Sequence, residues 1–190
     1  MFTALLWVLG AFLLLAALVV GWLISTYNSL IRQRNLRNEA WSGILVQLKK
    51  RHDLVGNLVN SVKGFMSHER AILEEVARAR SAAIYAKGVA SVGAREGALS
   101  QALSRLFAVA ENYPELRSSS NMLQLQNTLK EIEEGIGLSR RYYNGTVRDL
   151  NNRIETFPTN LAAGLFGFQR GEFFELEDPA EAEAPSVQFE

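Results

Sequence analysis

The chain opens with an uninterrupted apolar run. Residues 2–24 contain no charged side chain, and as a helix they would extend about 34 Å at about 1.5 Å per residue. That length covers a hydrocarbon core of about 30 Å, so the run predicts a transmembrane anchor over residues 1–25. A cleaved signal peptide would need a basic residue before the run and a small-residue site after it, and the sequence has neither.

The ends of this run carry side chains typical of a membrane interface. Trp7 lies near one end, and Trp22 and Tyr27 lie near the other, where amphipathic rings prefer the headgroup layer. Arg32 and Arg34 follow closely enough to reach lipid headgroups if the helix continues. We therefore predict membrane lipid as a partner of these five residues.

The flanking charges predict an orientation. Arg32, Arg34 and Arg37 follow the run with a single acid, Glu39, and no basic residue precedes it. The positive-inside bias then places the N-terminus outside and the rest of the chain in the cytoplasm, at a plasma (inner) membrane.

Small residues follow one face of the anchor. Gly10, Ala17 and Gly21 are either ordinary small residues of a membrane helix or a surface on which two anchors pack closely. We keep them as candidates for self-association.

Beyond the anchor, apolar residues recur every three or four positions from Trp41 to Val76. This rhythm predicts a long amphipathic helix and no strand. Residues 25–40 contain no Pro or Gly, so the anchor and this helix are expected to be continuous. A bend or short turn at Gly43, Gly56 or Gly64 is compatible with the pattern but not required, and whether Gly56 bends or splits the helix is left open.

Further helices follow from the same rhythm. The three glycines in residues 86–97 predict a loop, and residues 99–110 predict a short helix that ends before Pro114. A third helix is expected from about Ser120 to Pro158. The fold class is therefore all-α: a transmembrane helix followed by an elongated antiparallel bundle of three or four long helices over residues 26–157.

The C-terminal part divides into two segments. Residues 158–174 are apolar, and Leu165, Phe166 and Phe168 within them are candidates for self-association. Residues 175–190 contain acids and no bases, a composition typical of a solvated tail.

Composition limits the chemistry. Lys+Arg and Asp+Glu number 20 each, so no global field draws the chain to nucleic acid. Cysteine is absent and only His52 and His68 are histidines. We predict no metal, no cofactor and no catalytic residue, because His52 and Glu69 are about 25 Å apart on one continuous helix. Each is expected to be a paired polar group in a core or at a subunit interface.

The basic triplet Lys49-Lys50-Arg51 is expected to form a solvated face or to contact acids of a neighbour.

A series of short motifs runs from Tyr27 to about Phe174. They include Tyr27-Asn28-Ser29-Leu30, Ala40-Trp41-Ser42, Val46-Gln47-Leu48-Lys49-Lys50-Arg51, Asn57-Leu58-Val59, Arg140-Arg141-Tyr142-Tyr143-Asn144, Phe157-Pro158-Thr159-Asn160-Leu161 and Phe166-Gly167-Phe168. Together these motifs resemble the LemA family. Gly56 stands where such proteins usually have a proline. The resemblance implies a membrane-anchored helical protein of bacterial type with no family active site, some of whose relatives act at specialised membranes of magnetosome-forming bacteria.

The sequence therefore predicts a non-enzymatic, membrane-anchored scaffold that self-associates into a homo-oligomer. The alternative is an adaptor for a membrane partner such as a protease or transporter. A hydrolase that uses His52 or Glu69 is a third hypothesis, for which no nucleophile, base and orienting group can be assembled from the spacing.

Overall fold

A computed structural model describes residues 2–66 and 68–175. Within these described residues, six helices follow one another: α1 (Phe2–Val62), α2 (Arg70–Tyr85), α3 (Val89–Ala110), α4 (Pro114–Arg117), α5 (Ser120–Glu155) and α6 (Thr159–Leu165). The described residues contain no strand. The predicted all-α class is confirmed.

Helix α1 continues from the apolar run of residues 2–24 into the amphipathic segment that follows it without interruption. It continues through Gly56 and ends at Val62, where a turn that includes Gly64 begins. Gly56 therefore does not split the helix, and the later members of the apolar rhythm, Leu73 and Val76, lie on α2.

The structure corrects the loop that the glycines predicted over residues 86–97. Only the short link between Tyr85 and Val89 is a turn, and Gly88 within it has a φ of 84°, a backbone conformation that favours glycine. Gly93 and Gly97 are buried inside α3. Burial of the α3 stripe outweighs their low helix propensity.

The chain divides into two compact units. Unit 1 consists of the residues up to Ala40 and Asn144–Gly171, and unit 2 consists of Trp41–Tyr143 and the described residues from Glu172. The predicted segment limits of 1–25, 26–157, 158–174 and 175–190 stay predictions, and nearly all of the acidic tail lies outside the described residues.

Unit 2 is a helical bundle with a large apolar core. The second part of α1 contributes Val55 and Leu58, α2 contributes Val76, and α3 contributes Leu99 and Leu106. Segments of α4 and α5 close the core with Leu116, Met122 and Leu129. The end of the described chain is also docked in this unit, where Phe174 is fully buried and its ring centroid lies 5.4 Å from that of Trp41.

Unit 1 has a much smaller core. Leu30 of α1, Leu150 of α5 and Ala163 of α6 are buried together, and Ile154 and Phe168 pack against them. The Phe157–Pro158 peptide bond between α5 and α6 is cis.

Candidate functional site

A buried arginine lies at the centre of a polar cluster in unit 2. Arg51 on α1 is 2% exposed and Glu96 on α3 is 0% exposed. Arg51 Nη1 donates to Glu96 Oε2 at 2.8 Å, and Nη2 donates to Ser100 Oγ at 2.7 Å. Arg51 Nε lies 2.8 Å from Glu133 Oε1 on α5, an ion contact outside hydrogen-bond geometry. One guanidinium therefore links α1, α3 and α5.

His52 is the second partner of the buried carboxylate. His52 Nε2 lies 2.6 Å from Glu96 Oε1, so each oxygen of Glu96 has its own partner. Arg80 Nε of α2 donates to the backbone carbonyl of His52 at 2.6 Å. We call Arg51, His52, Glu96, Ser100 and Glu133 the ion cluster.

The pKa of Glu133 reflects both the burial and the charges of the ion cluster. Burial raises the pKa of this carboxyl, the positive charge of Arg51 opposes that effect, and the nearby Glu96 adds to it. Two carboxylates thus share one arginine, and a second negative charge beside Glu133 disfavours its ionised form.

An open pocket of about 370 Å³ lies beside His52 and Glu96. Its apolar lining includes Leu45, Leu48, Ala83 and Val92. Lys49 and Asp53 also line it and form an ion pair at 2.8 Å. The hydrogen bond from Lys49 lowers the pKa of Asp53.

The membrane-interface residues predicted from the sequence lie on α1. Trp7, Trp22 and Tyr27 are exposed, as is the whole described apolar run before residue 22. The helix is long and apolar enough to cross a membrane. In unit 1 the Arg34 guanidinium lies 5.7 Å from the ring centroid of Phe168, within the range of a cation–π contact. The contact of these residues with lipid stays a prediction.

The two groups of self-association candidates differ in their surroundings. A Cβ added at Gly10 or Gly21 would meet nothing within 4 Å, so this face of α1 is open to a neighbour. In the other group, Phe166 and Phe168 already have a partner within the chain. Their ring centroids lie 4.9 Å and 5.9 Å from the ring centroid of Tyr27.

The one remaining candidate of each group is exposed. Leu165, the third C-terminal candidate, is 70% exposed, and Ala17 on α1 is exposed. None of these six residues is shown to contact a second copy, and their role stays a prediction.

Three polar contacts hold the α5–α6 corner in unit 1. Arg153 Nη1 donates to Ser29 Oγ at 2.7 Å, and the Asn151 amide exchanges two hydrogen bonds with the backbone of Gly171. Arg170 Nε lies 2.7 Å from Glu155 Oε1. These contacts join the two sequence-distant parts of unit 1.

The family model for the LemA family matches residues 40–189. The chain belongs to the LemA family. The match covers well over half of the chain, including every member of the ion cluster.

The chain is similar to relatives that carry two kinds of name, magnetosome protein MamQ and protein LemA. The chain is 27% identical over 188 residues to magnetosome protein MamQ 2 of Paramagnetospirillum magneticum, with 85% of this chain and 68% of the relative covered. It is 25% identical over 185 residues to magnetosome protein MamQ of Magnetospirillum gryphiswaldense, covering 83% and 67%. It is 26% identical over 160 residues to protein LemA of Metamycoplasma hominis, covering 80% and 72%.

The sequence did not reveal the ion cluster of this LemA family member. The prediction of a solvated basic triplet is wrong for Arg51, although Lys49 and Lys50 are exposed. Glu96 escaped notice because it lies among the α3 glycines, yet its spacing from Val92 and Leu99 places it on the buried stripe. His52 is paired as expected, and Glu69 accepts a hydrogen bond from the Tyr113 hydroxyl at 3.2 Å.

Metal ligands and the surroundings of Ser100 are the two features of the described residues that bear on chemistry. Across 2–66 and 68–175, no group of three or more His, Asp or Glu side chains is arranged to hold a metal ion. Within the ion cluster, Ser100 accepts its bond from Arg51, and an arginine does not act as a base. The contacts of Arg51 with Glu96, Ser100 and Glu133 hold α1, α3 and α5 together.

Proposed function

We propose that this protein is a non-enzymatic scaffold that α1 anchors in a bacterial inner membrane and that self-associates through unit 2. The observation that carries the proposal is apolar surface that the core of unit 2 leaves uncovered. Leu138 and Tyr142 are 61% and 54% exposed, and Val46 on α1 is 55% exposed.

The two α5 residues form a compact apolar pair. Leu138 and Tyr142 are one helical turn apart, so they share one face of α5. The buried stripe of the same helix includes Ile136 and Tyr143, which leaves the pair on the outer side. Large apolar side chains grouped on a surface are typical of interaction sites, and a second copy of the same chain is the commonest partner of a soluble domain.

The anchor supports the membrane part of the proposal. Helix α1 carries the apolar run and continues into the core of unit 2 as one helix. The basic residues Arg32, Arg34 and Arg37 after the run favour a cytoplasmic domain and an outside N-terminus. Close packing of anchors through Gly10 and Gly21 would add a contact inside the bilayer.

The relatives support a structural role. Some are named as magnetosome proteins, and a scaffold role for this chain is compatible with those names. The proposal requires no cofactor, metal or nucleic acid, and its partners are lipid and a second copy of the chain.

Crosslinking tests self-association directly, because the chain contains no cysteine. Leu138→Cys in nanodiscs is expected to give a disulfide-linked dimer on oxidation. Leu138→Glu combined with Tyr142→Glu is expected to shift the mass of the detergent-solubilised protein towards the monomer.

The matched control places the same two charges elsewhere on α5. Gln124 and Asn127 are exposed, and their replacement by glutamate should leave the mass unchanged. A wild-type protein that is monomeric at all concentrations would refute the scaffold. Capture of one stoichiometric membrane protein by Leu138→Cys, without self-crosslinks, would favour the adaptor.

A further inference from the structure

The corner between α5 and α6 is a long uncharged segment closed by an ion pair. Residues 156–169 contain no charged side chain, and they are flanked by Glu155 and Arg170. The two flanking side chains pair at 2.7 Å. We call residues 156–169 the apolar corner.

The apolar corner has an inner and an outer face. Ala162 and Ala163 are buried. Leu161 and Leu165, one turn apart on α6, and Phe157 just before the helix are exposed, as is Phe166 in part. The small residues therefore pack inward, while the large apolar residues point away from the core of unit 1.

Contacts within unit 1 place the apolar corner beside the end of the anchor. Phe166 meets Tyr27 with ring centroids 4.9 Å apart, and Ala163 shares the small core with Leu30. Tyr27 is about 4.5 Å along the helix axis beyond Ile24, the last residue of the predicted span. Aromatic rings at this position prefer the boundary between headgroups and acyl chains.

The charge of unit 1 distinguishes a lipid surface from a second copy. The unit contains six arginines and three acidic residues, which gives a side-chain charge of +3. Two such surfaces repel each other, whereas anionic lipid headgroups attract both. The combination of exposed large apolar residues with surrounding arginines is typical of segments that lie in the membrane interface.

We propose that the apolar corner is a second membrane contact, whose outer face inserts shallowly into the leaflet where α1 emerges. Leu165, suggested by the sequence for self-association, contacts lipid in this arrangement. The inference rests on the anchoring part of the proposed function and is independent of self-association.

Single cysteines carrying an environment-sensitive fluorophore test the inference in the full chain. The protein is reconstituted in phosphatidylcholine vesicles containing phosphatidylglycerol, with nitroxide groups on the lipids at shallow or deep positions. A probe at Leu165→Cys is expected to show blue-shifted emission and at least about twofold stronger quenching by shallow than by deep nitroxide, as an interfacial segment requires. Leu123→Cys, also exposed on α5 of unit 2 and outside the proposed self-association pair, is the matched control and should show no lipid quenching.

Three outcomes separate the alternatives. Water-like emission without quenching at Leu165→Cys would overturn the inference. A blue shift without lipid quenching that disappears when protein is diluted into more lipid would also overturn it, because a second copy would then cover the corner. A probe at Leu14→Cys, in the middle of the run, should be quenched most by deep nitroxide. If that quenching is absent, the anchor itself fails, and if it is present while Leu165 is not quenched, only the inference fails.

Discussion

The two units use polar groups in opposite ways. Unit 2 has a large apolar core, and it also buries a full positive charge, Arg51, against the buried carboxylate Glu96. Unit 1 keeps its ion pair between Arg170 and Glu155 exposed, at 68% and 50% of the side-chain surface, and buries few large residues.

This difference predicts where the protein is sensitive to substitution. A buried charge that loses its partner retains its full desolvation cost, whereas an exposed pair gains little from its contact. The stability of unit 2 should therefore depend strongly on single buried polar residues, whereas the stability of unit 1 should depend on its apolar contacts.

The largest effect is expected for Glu96→Ala. The substitution leaves Arg51 buried without its main carboxylate, so we expect the free energy of unfolding to fall by about 3–5 kcal/mol. Circular dichroism during denaturant unfolding in detergent would measure it. Glu131→Ala, at an exposed position of α5, should change stability by less than about 0.5 kcal/mol. Equal effects of the two substitutions would contradict the role of the ion cluster.

A smaller effect is expected for Gly93→Ala. A Cβ at this position would collide with the backbone carbonyl of Glu175 and contact the Phe174 ring. We expect a loss of about 1–3 kcal/mol, with displacement of Phe174 from Trp41 visible as a change in Trp41 fluorescence when Trp7 and Trp22 are phenylalanine. The control is Gly145→Ala, where a Cβ meets nothing within 4 Å and which should keep the fluorescence unchanged.

The pH dependence of stability should identify Glu133. Its pKa is raised above the ordinary value of 4.5, first by burial, so the folded state holds this proton to a higher pH than the unfolded chain does. Its contribution to stability is present below pH 4.5 and is lost as the pH rises through the folded-state pKa. Stability relative to Glu133→Gln should therefore decrease over this range. A difference between the two proteins that increases with pH would show that the sign is wrong.

The smallest effect is expected for Arg170→Gln in unit 1. The pair with Glu155 is exposed on both sides, so its loss should cost about 0–1 kcal/mol. Denaturant unfolding under the conditions used for Glu96→Ala gives a direct comparison. A loss as large as that of Glu96→Ala would remove the distinction between the units.

The main features of the fold follow from local signals. The apolar run and the absence of Pro and Gly in residues 25–40 predicted one helix across the anchor and the domain, and α1 confirms it. The rhythm of apolar residues likewise predicted the all-α class. These features depend on residues close together in the sequence, where helix periodicity is a direct signal.

The ion cluster could not be predicted in the same way, because its partners are distant in sequence. Arg51 and Glu96 are 45 residues apart, and Arg51 follows two exposed lysines that suggest a surface. The α3 glycines suggested a loop because glycine usually weakens a helix. At Gly93 the close approach of the Glu175 backbone explains why a residue without a Cβ stands at this position. This contact exists only in the folded chain.

Unit 1 is built from segments that are far apart in the sequence, and this affects the order of membrane insertion and folding during synthesis. Ser29 bonds to Arg153, 124 residues later, and Leu30 packs on Leu150 and Ala163. At translation rates of about 5–20 residues per second, the partners of Ser29 emerge about 6–25 s after it. In the proposed arrangement, the apolar run reaches the membrane while the segments that complete unit 1 are still being made, so insertion precedes the folding of this unit.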